Sequence, residues 1–256
     1  MRNCVLKIRH LLLFFVLLTF SCEMQINHES DASNYFNLNK VGDFHNYALE
    51  KIITNCPESP IISSISGAQT IRAEYLLSLN NYREINKDFK LKSGKLTEDE
   101  ILFFASKDFQ KQCSFLVAEN LDLLLKKSLI NFKEKEFLTQ IYDNCNSIDE
   151  LNIITQIITN LRYSSNFSKQ YIKSVHNLAR GSAQFWLNNN SLITNGNLRT
   201  PIHVDVGGVI VGCAIAAFRQ ESLEVEDIPE IMAAGIMTGV VASSGIAGRI
   251  GRWLFK

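Results

Sequence analysis

Five histidines and six cysteines carry most of the metal-binding and nucleophilic chemistry available to this 256-residue sequence. His45 follows Asp43 by two residues and precedes Glu50 by five. Those spacings do not share a helix face as i and i+4 would, so a surface or half-buried structural histidine is the better reading than a metal ligand. His176, beside Asn177 in an apolar helical pattern, reads as a helix-packing residue. His203 and Asp205 alternate, which would put both on one side of an extended segment, with no third ligand evident. Cys56, Cys113, Cys145 and Cys213 form an even set without a CxxC motif. In an exported chain they could make one or two disulfides; otherwise they serve as small buried hydrophobes. The sequence holds no GxSxG, HExxH, phosphate-loop or paired-carboxylate motif, and "GRIGRW" has no strand before it. No catalytic residue, metal or cofactor is assigned, and a non-enzymatic role is expected.

Cys22 is the cysteine with the clearest chemical context. Arg2, Lys7 and Arg9 precede an uncharged apolar run over residues 11 to 20, and no acid occurs before Glu23. The run is about half of the ~20 residues a spanning helix needs, and it ends at the small Ser21. This is the arrangement of a secretory leader. The stretch "LTFSC" resembles the lipobox of bacterial lipoproteins, with Thr19 and Phe20 standing between Leu18 and Ser21 as in relaxed bacteroidete-type versions. The resemblance implies removal of residues 1–21 and acyl chains, palmitate among them, attached through a thioether diacylglycerol on Cys22. Two or more chains hold a protein stably, because each buried methylene contributes ~0.8 kcal/mol. The expected location is the bacterial cell envelope, at the outer membrane. An ordinary leader cut nearby, leaving Cys22 as a thiol, is the alternative.

Formal net charge is zero, and loss of Arg2, Lys7 and Arg9 leaves 23 basic against 26 acidic residues, a net of −3. Without a basic field, nucleic-acid binding is excluded as a reading. Apolar residues at 46% and charged residues at 20% describe a folded core and exclude disorder.

Residues 22–39 are polar and aperiodic, a tether between lipid and domain. The stretch 40–200 reads as a helical body. "DFHNYALEKIIT" sets Phe44, Ala48, Leu49, Ile52 and Ile53 on one face, and "CPESP" breaks the chain after it. "GAQTIRAEYLLSLNNY" reads as a second helix. Capping boxes at Thr97/Glu100 and Ser147/Glu150 open two more helical stretches, the first broken once before Lys127. "KEKEFLTQIYDNC" and "SKQYIKSVHNLARGSAQFWLNN" complete the body. Strand-like alternation is scarce, so the expected fold is all-α, an irregular helical bundle.

Residues 201–256 differ in composition, holding eight of the 13 glycines. Gly208 and Gly212, Gly235 and Gly239, and Ser244 and Gly248 are each four apart, which puts small residues on one helix face for close packing. Each glycine costs a helix ~1 kcal/mol against alanine, so the pattern makes sense only where close packing offsets that loss. A helical hairpin follows, with a charged elbow at "RQESLEVEDIPE". Val206 to Phe218 gives 13 uncharged residues and Ile231 to Gly248 gives 18, the first too short and the second long enough to cross a ~30 Å bilayer core. Burial within a soluble domain is the reading taken; membrane insertion, as in a toxin or bacteriocin, is the alternative. Arg249, Arg252 and Trp253 suit an interfacial belt and a helix end equally.

"HNYALEKI", "LARGSAQFW" and "VDVGGVIVG" together resemble segments of uncharacterised exported bacteroidete-type proteins. The matches cover under a third of the chain. The resemblance implies an exported helical protein with a small-residue C-terminal hairpin and adds no chemistry; the expected role is that of an envelope lipoprotein that binds an unidentified protein partner or supports the envelope. A periplasmic enzyme ranks last.

Overall fold

Polar side-chain caps set the starts of most of the helices. In the computed structural model the described residues are 37–56, 64–89, 91–189, 199–220 and 222–254, with only the backbone course described over 247–254. The expected leader, Cys22 and the expected tether up to residue 36 lie outside them. The described residues all belong to one unit, Ser33–Lys256, and among them the fold is all-helical.

Nine α-helices follow a 3-10 turn at Leu38–Lys40. They are α1 (Val41–Asn55), α2 (Ile65–Ile85), α3 (Glu98–Phe104), α4 (Lys107–Lys126), α5 (Phe132–Asn144), α6 (Ile148–Asn160), α7 (Asn166–Asn188), α8 (Arg199–Phe218) and α9 (Ile228–Leu254). Helical structure thus begins within the stretch expected to be a tether (residues 22–39), at Leu38, where the Asn37 side chain caps the first turn. The expected stripe on α1 is buried at Phe44, Ala48, Leu49 and Ile52, and Phe44 meets Tyr75, Tyr82 and Phe89 at centroid distances of 5.2–5.6 Å.

Thr97 and Glu100 form the expected reciprocal box, and the long stretch that follows breaks at Ala105, where Ser106 caps α4. At α6 only the forward half of the expected box forms, from the Glu150 amide to Ser147 Oγ at 3.3 Å. Two boxes that sequence reading passed over stand at Asn131/Glu134 and Ser165/Ser168. Asn and Ser in these roles satisfy amide groups that a helix start leaves open. Helix α4 ends at Ser128, whose φ of 58° lets the Ser128 and Leu129 amides reach the Leu125 and Leu124 carbonyls.

The hairpin forms the interior. Helices α8 and α9 make the most extensive interhelical contact in the molecule; α8 also packs on α4 and α7, and α9 on α1, α3 and α7. Both have an apolar window of 19 residues, long enough to cross a membrane, and 78% and 94% of those windows are buried within the protein. Each buried Val, Ile or Met there contributes about 1.5–3 kcal/mol relative to exposure. The boundary drawn at residue 200 thus separates two stretches of sequence that pack as one unit. Small residues make the approach possible: a Cβ on Gly208 would lie 3.0 Å from Gly239 Cα, and one on Gly239 would lie 2.8 Å from Val209 Cγ2. Gly212 faces Thr238, and Gly235 faces Cys213. Ser244 is buried and donates to the Val241 carbonyl at 2.8 Å. Gly248 continues α9, beyond the residues whose surroundings are described.

Candidate functional site

Asp205 is the one charged residue between Arg199 and Arg219, and it enters the core with the second turn of α8. Its side chain is fully buried. A carboxylate moved from water into such a place needs compensating donors. Helix α7 supplies two of them one turn apart: Ser182 Oγ donates to Asp205 Oδ2 at 2.5 Å, and Trp186 Nε1 donates to the same oxygen at 2.9 Å. Helix α1 supplies the counter-charge. His45 Nε2 stands 3.6 Å from Oδ2, an ionic contact slightly too long for a hydrogen bond.

The neighbours of His45 fix its protonation. Asn46 Nδ2 donates to the Gly181 carbonyl at 3.0 Å, which leaves Asn46 Oδ1 as the acceptor facing His45 Nδ1 at 3.0 Å. Nδ1 therefore carries a proton, and an unprotonated Nε2 would aim its lone pair at a carboxylate. Burial alone would lower the imidazole's pKa; the Asp205 charge, with Asn46, outweighs it and holds His45 above its ordinary value. The contact with Asp205 thus favours the protonated imidazole over the neutral one. Close backbone approach sets the geometry, since a Cβ on Gly42 would lie 2.5 Å from the Asn177 carbonyl and one on Gly181 would lie 2.6 Å from Gly42 Cα.

Serine, histidine and aspartate meet here, yet the wiring is not that of a hydrolytic triad. Nucleophile activation needs the histidine between serine and carboxylate. Ser182 instead donates its hydrogen bond directly to Asp205, and His45 approaches the same oxygen from another helix. With all three side chains buried, the arrangement holds charge in place and ties α1, α7 and α8 together.

The other sequence candidates are dispersed. Asp43 and Glu50 are exposed while His45 is buried, so the three do not converge. His203 and Asp205 lie in a helix rather than an extended segment, and two residues of helix turn them to different sides. His176 packs as expected, with Nε2 2.9 Å from the Leu151 carbonyl and 3.3 Å from Thr155 Oγ1; burial lowers its pKa. No group of three His, Cys, Asp or Glu side chains suited to a metal occurs among the described residues. Cys56, Cys113 and Cys213 are free thiols, so the alternative of disulfide pairing is not formed at these three. Burial pushes the Cys113 thiol up to about 11. Cys145 Sγ lies 3.6 Å from His203 Nδ1, and the His203 ring meets Tyr142 edge-on at 5.0 Å.

A groove of about 360 Å³ opens beside that ring. Helix α4 gives it an apolar wall at Val117, Ala118 and Leu121, and α5 gives a polar wall from Lys135 to Asp143.

Sequence reading missed Asp205, Ser182 and Trp186 as a unit. The available signal was a lone charge in an apolar run, together with three short segments that proved to be neighbours. "HNYALEKI" contributes His45 and Asn46, "LARGSAQFW" contributes Gly181, Ser182 and Trp186, and "VDVGGVIVG" contributes Asp205 and Gly208. No family model, curated protein or solved structure matches the chain.

Proposed function

We propose that this is an exported bacterial envelope protein, held at the outer membrane by lipid on Cys22, whose helical body has a binding or structural role rather than a catalytic one. The observation that carries this reading is the fate of the hairpin. Its two most apolar helices are engaged inside the body, 78% and 94% buried over their apolar windows, which leaves membrane attachment to the lipobox-like "LTFSC". The resemblance of three segments to exported bacteroidete-type proteins agrees with that address. A buried His45–Asp205 pair that binds helices together supports a scaffold more than a reaction centre. The test is the intact mass of the membrane-fraction protein beside its Cys22→Ala variant. A wild-type chain beginning at acylated Cys22, with the variant unprocessed or released, supports the reading; a retained leader or an unmodified cut elsewhere contradicts it.

A second reading is a membrane-active protein that inserts the hairpin. It is favoured by one observation: both α8 and α9 have 19-residue windows long and apolar enough to cross a bilayer. Insertion would require Asp205 to leave His45, Ser182 and Trp186. Release of dye from phospholipid vesicles by the full chain separates the two readings.

A further inference from the structure

The groove beside His203 has opposite charges at its two ends, and nothing above assigns it a role. Lys135, Thr139 and Asp143 lie four residues apart along one face of α5, so the backbone positions that carry the cation and the carboxylate are about 12 Å apart along the helix axis. The opposite wall is apolar at Val117 and Leu121, both buried. Between the ends, Thr139 Oγ1 donates to the Lys135 carbonyl at 3.0 Å and keeps its lone pairs for an incoming N–H. Ser114 Oγ and Tyr142 OH, 3.0 Å apart, add donor and acceptor capacity. The His203 ring, edge-on to Tyr142, lines the same groove.

From this arrangement we propose that the groove binds a short linear peptide of about three residues with both ends free. An extended chain advances about 3.3–3.6 Å per residue, so three residues nearly match the backbone spacing of Asp143 and Lys135, and the Lys135 side chain has the length to meet the peptide's end. The peptide's ammonium meets Asp143 and its carboxylate meets Lys135, while a central apolar side chain rests on Val117 and Leu121. The volume of about 360 Å³ falls within the range of small-ligand sites. Lys135 is now paired with Asp122, whose side chain is 63% exposed, and a surface pair of that kind is readily exchanged for a ligand carboxylate. The proposal stands on the groove alone and holds whether or not Cys22 carries lipid.

The test is calorimetric titration of the full-length protein with the tripeptide Ala-Leu-Ala, its N-acetyl form and its C-terminal amide. The free peptide is expected to bind saturably, and blocking either end to weaken it by about fivefold. Lys135→Gln should weaken the free peptide yet leave the C-terminal amide bound as in the wild type. Asp143→Asn should do the same for the N-acetyl form. That crossed pattern is not produced by a general disturbance of the fold. No saturable binding, equal binding of blocked and free peptides, or equal loss of all three in both variants overturns the proposal.

Discussion

His45 Nε2 lies 3.6 Å from Asp205 Oδ2, with both side chains fully buried and 160 positions apart in the chain. The contact fastens the first helix of the described fold to the glycine-rich hairpin. Removing one partner of a buried pair leaves the other charge uncompensated, which costs about 3–5 kcal/mol. Asp205→Ala should lose stability on that scale in denaturant unfolding, and an effect under 1 kcal/mol would contradict the role given to the pair.

The same pair makes stability depend on pH. His45 is held above its ordinary value of 6.5, so the folded state binds the proton more tightly than the unfolded chain does. Its contribution is fully present below about pH 6.5 and is lost as pH rises through the raised folded value. Thermal unfolding of the wild type should therefore fall with pH on that alkaline side. His45→Gln should fall less over the same range; parallel slopes would show that His45 does not titrate with folding.

Glu134 offers a second buried carboxylate, satisfied differently. It accepts the Asn131 and Ser164 amides at 2.7 and 2.6 Å, and the Ser164 and Ser168 hydroxyls at 2.5 and 2.7 Å. These bonds join the starts of α5 and α7, with no counter-cation on Glu134 among the described residues. Glu134→Ala strands several buried donors and should cost about 2–4 kcal/mol in urea unfolding. Glu134→Asp, too short to reach both segments, should recover only part of the loss.

Much of this architecture could be read from the chain. The stripe at Phe44, Ala48, Leu49 and Ile52 and the Thr97/Glu100 box are local signals, and they placed α1 and α3 correctly. Periodicity also marks α8 and α9, since glycine at four-residue spacing demands a close partner. The polar knot was not legible, because pattern reading scores His45 as a polar residue and cannot see a carboxylate on a helix 160 positions later. His203 and Asp205 were paired by proximity in sequence, whereas the helix turns them toward different neighbours. The groove depends on the side-by-side packing of α4 and α5, which no single segment encodes.

Backbone contact at the glycines predicts a ranking. A Cβ at Gly181 would meet Gly42 Cα, carbon and oxygen at 2.6–2.9 Å, all main-chain atoms that cannot rotate away. At Gly208 the nearest atoms lie at 3.0–3.1 Å. Gly181→Ala should cost about 1–3 kcal/mol or more through overpacking, and Gly208→Ala less. Thermal melts of the two variants check the order, and the reverse order would contradict the packing of α1 on α7.

Thiol reactivity follows burial. Cys56 is half-buried, while Cys113 and Cys213 are buried with thiols pushed well above their ordinary value. Alkylation of the native protein at pH 8, mapped by peptide mass spectrometry, should modify Cys56 ahead of both others. Equal rates would mean that α8 and α4 open readily.

The most direct test of the account is hydrogen exchange of the full chain, followed peptide by peptide with and without phospholipid vesicles. If the hairpin is the interior of the fold, amides over 204–217 and 231–242 exchange slowest of all and do not change when vesicles are added. Fast exchange there in solution, or protection that appears only with lipid, would make the hairpin a membrane element and contradict the account.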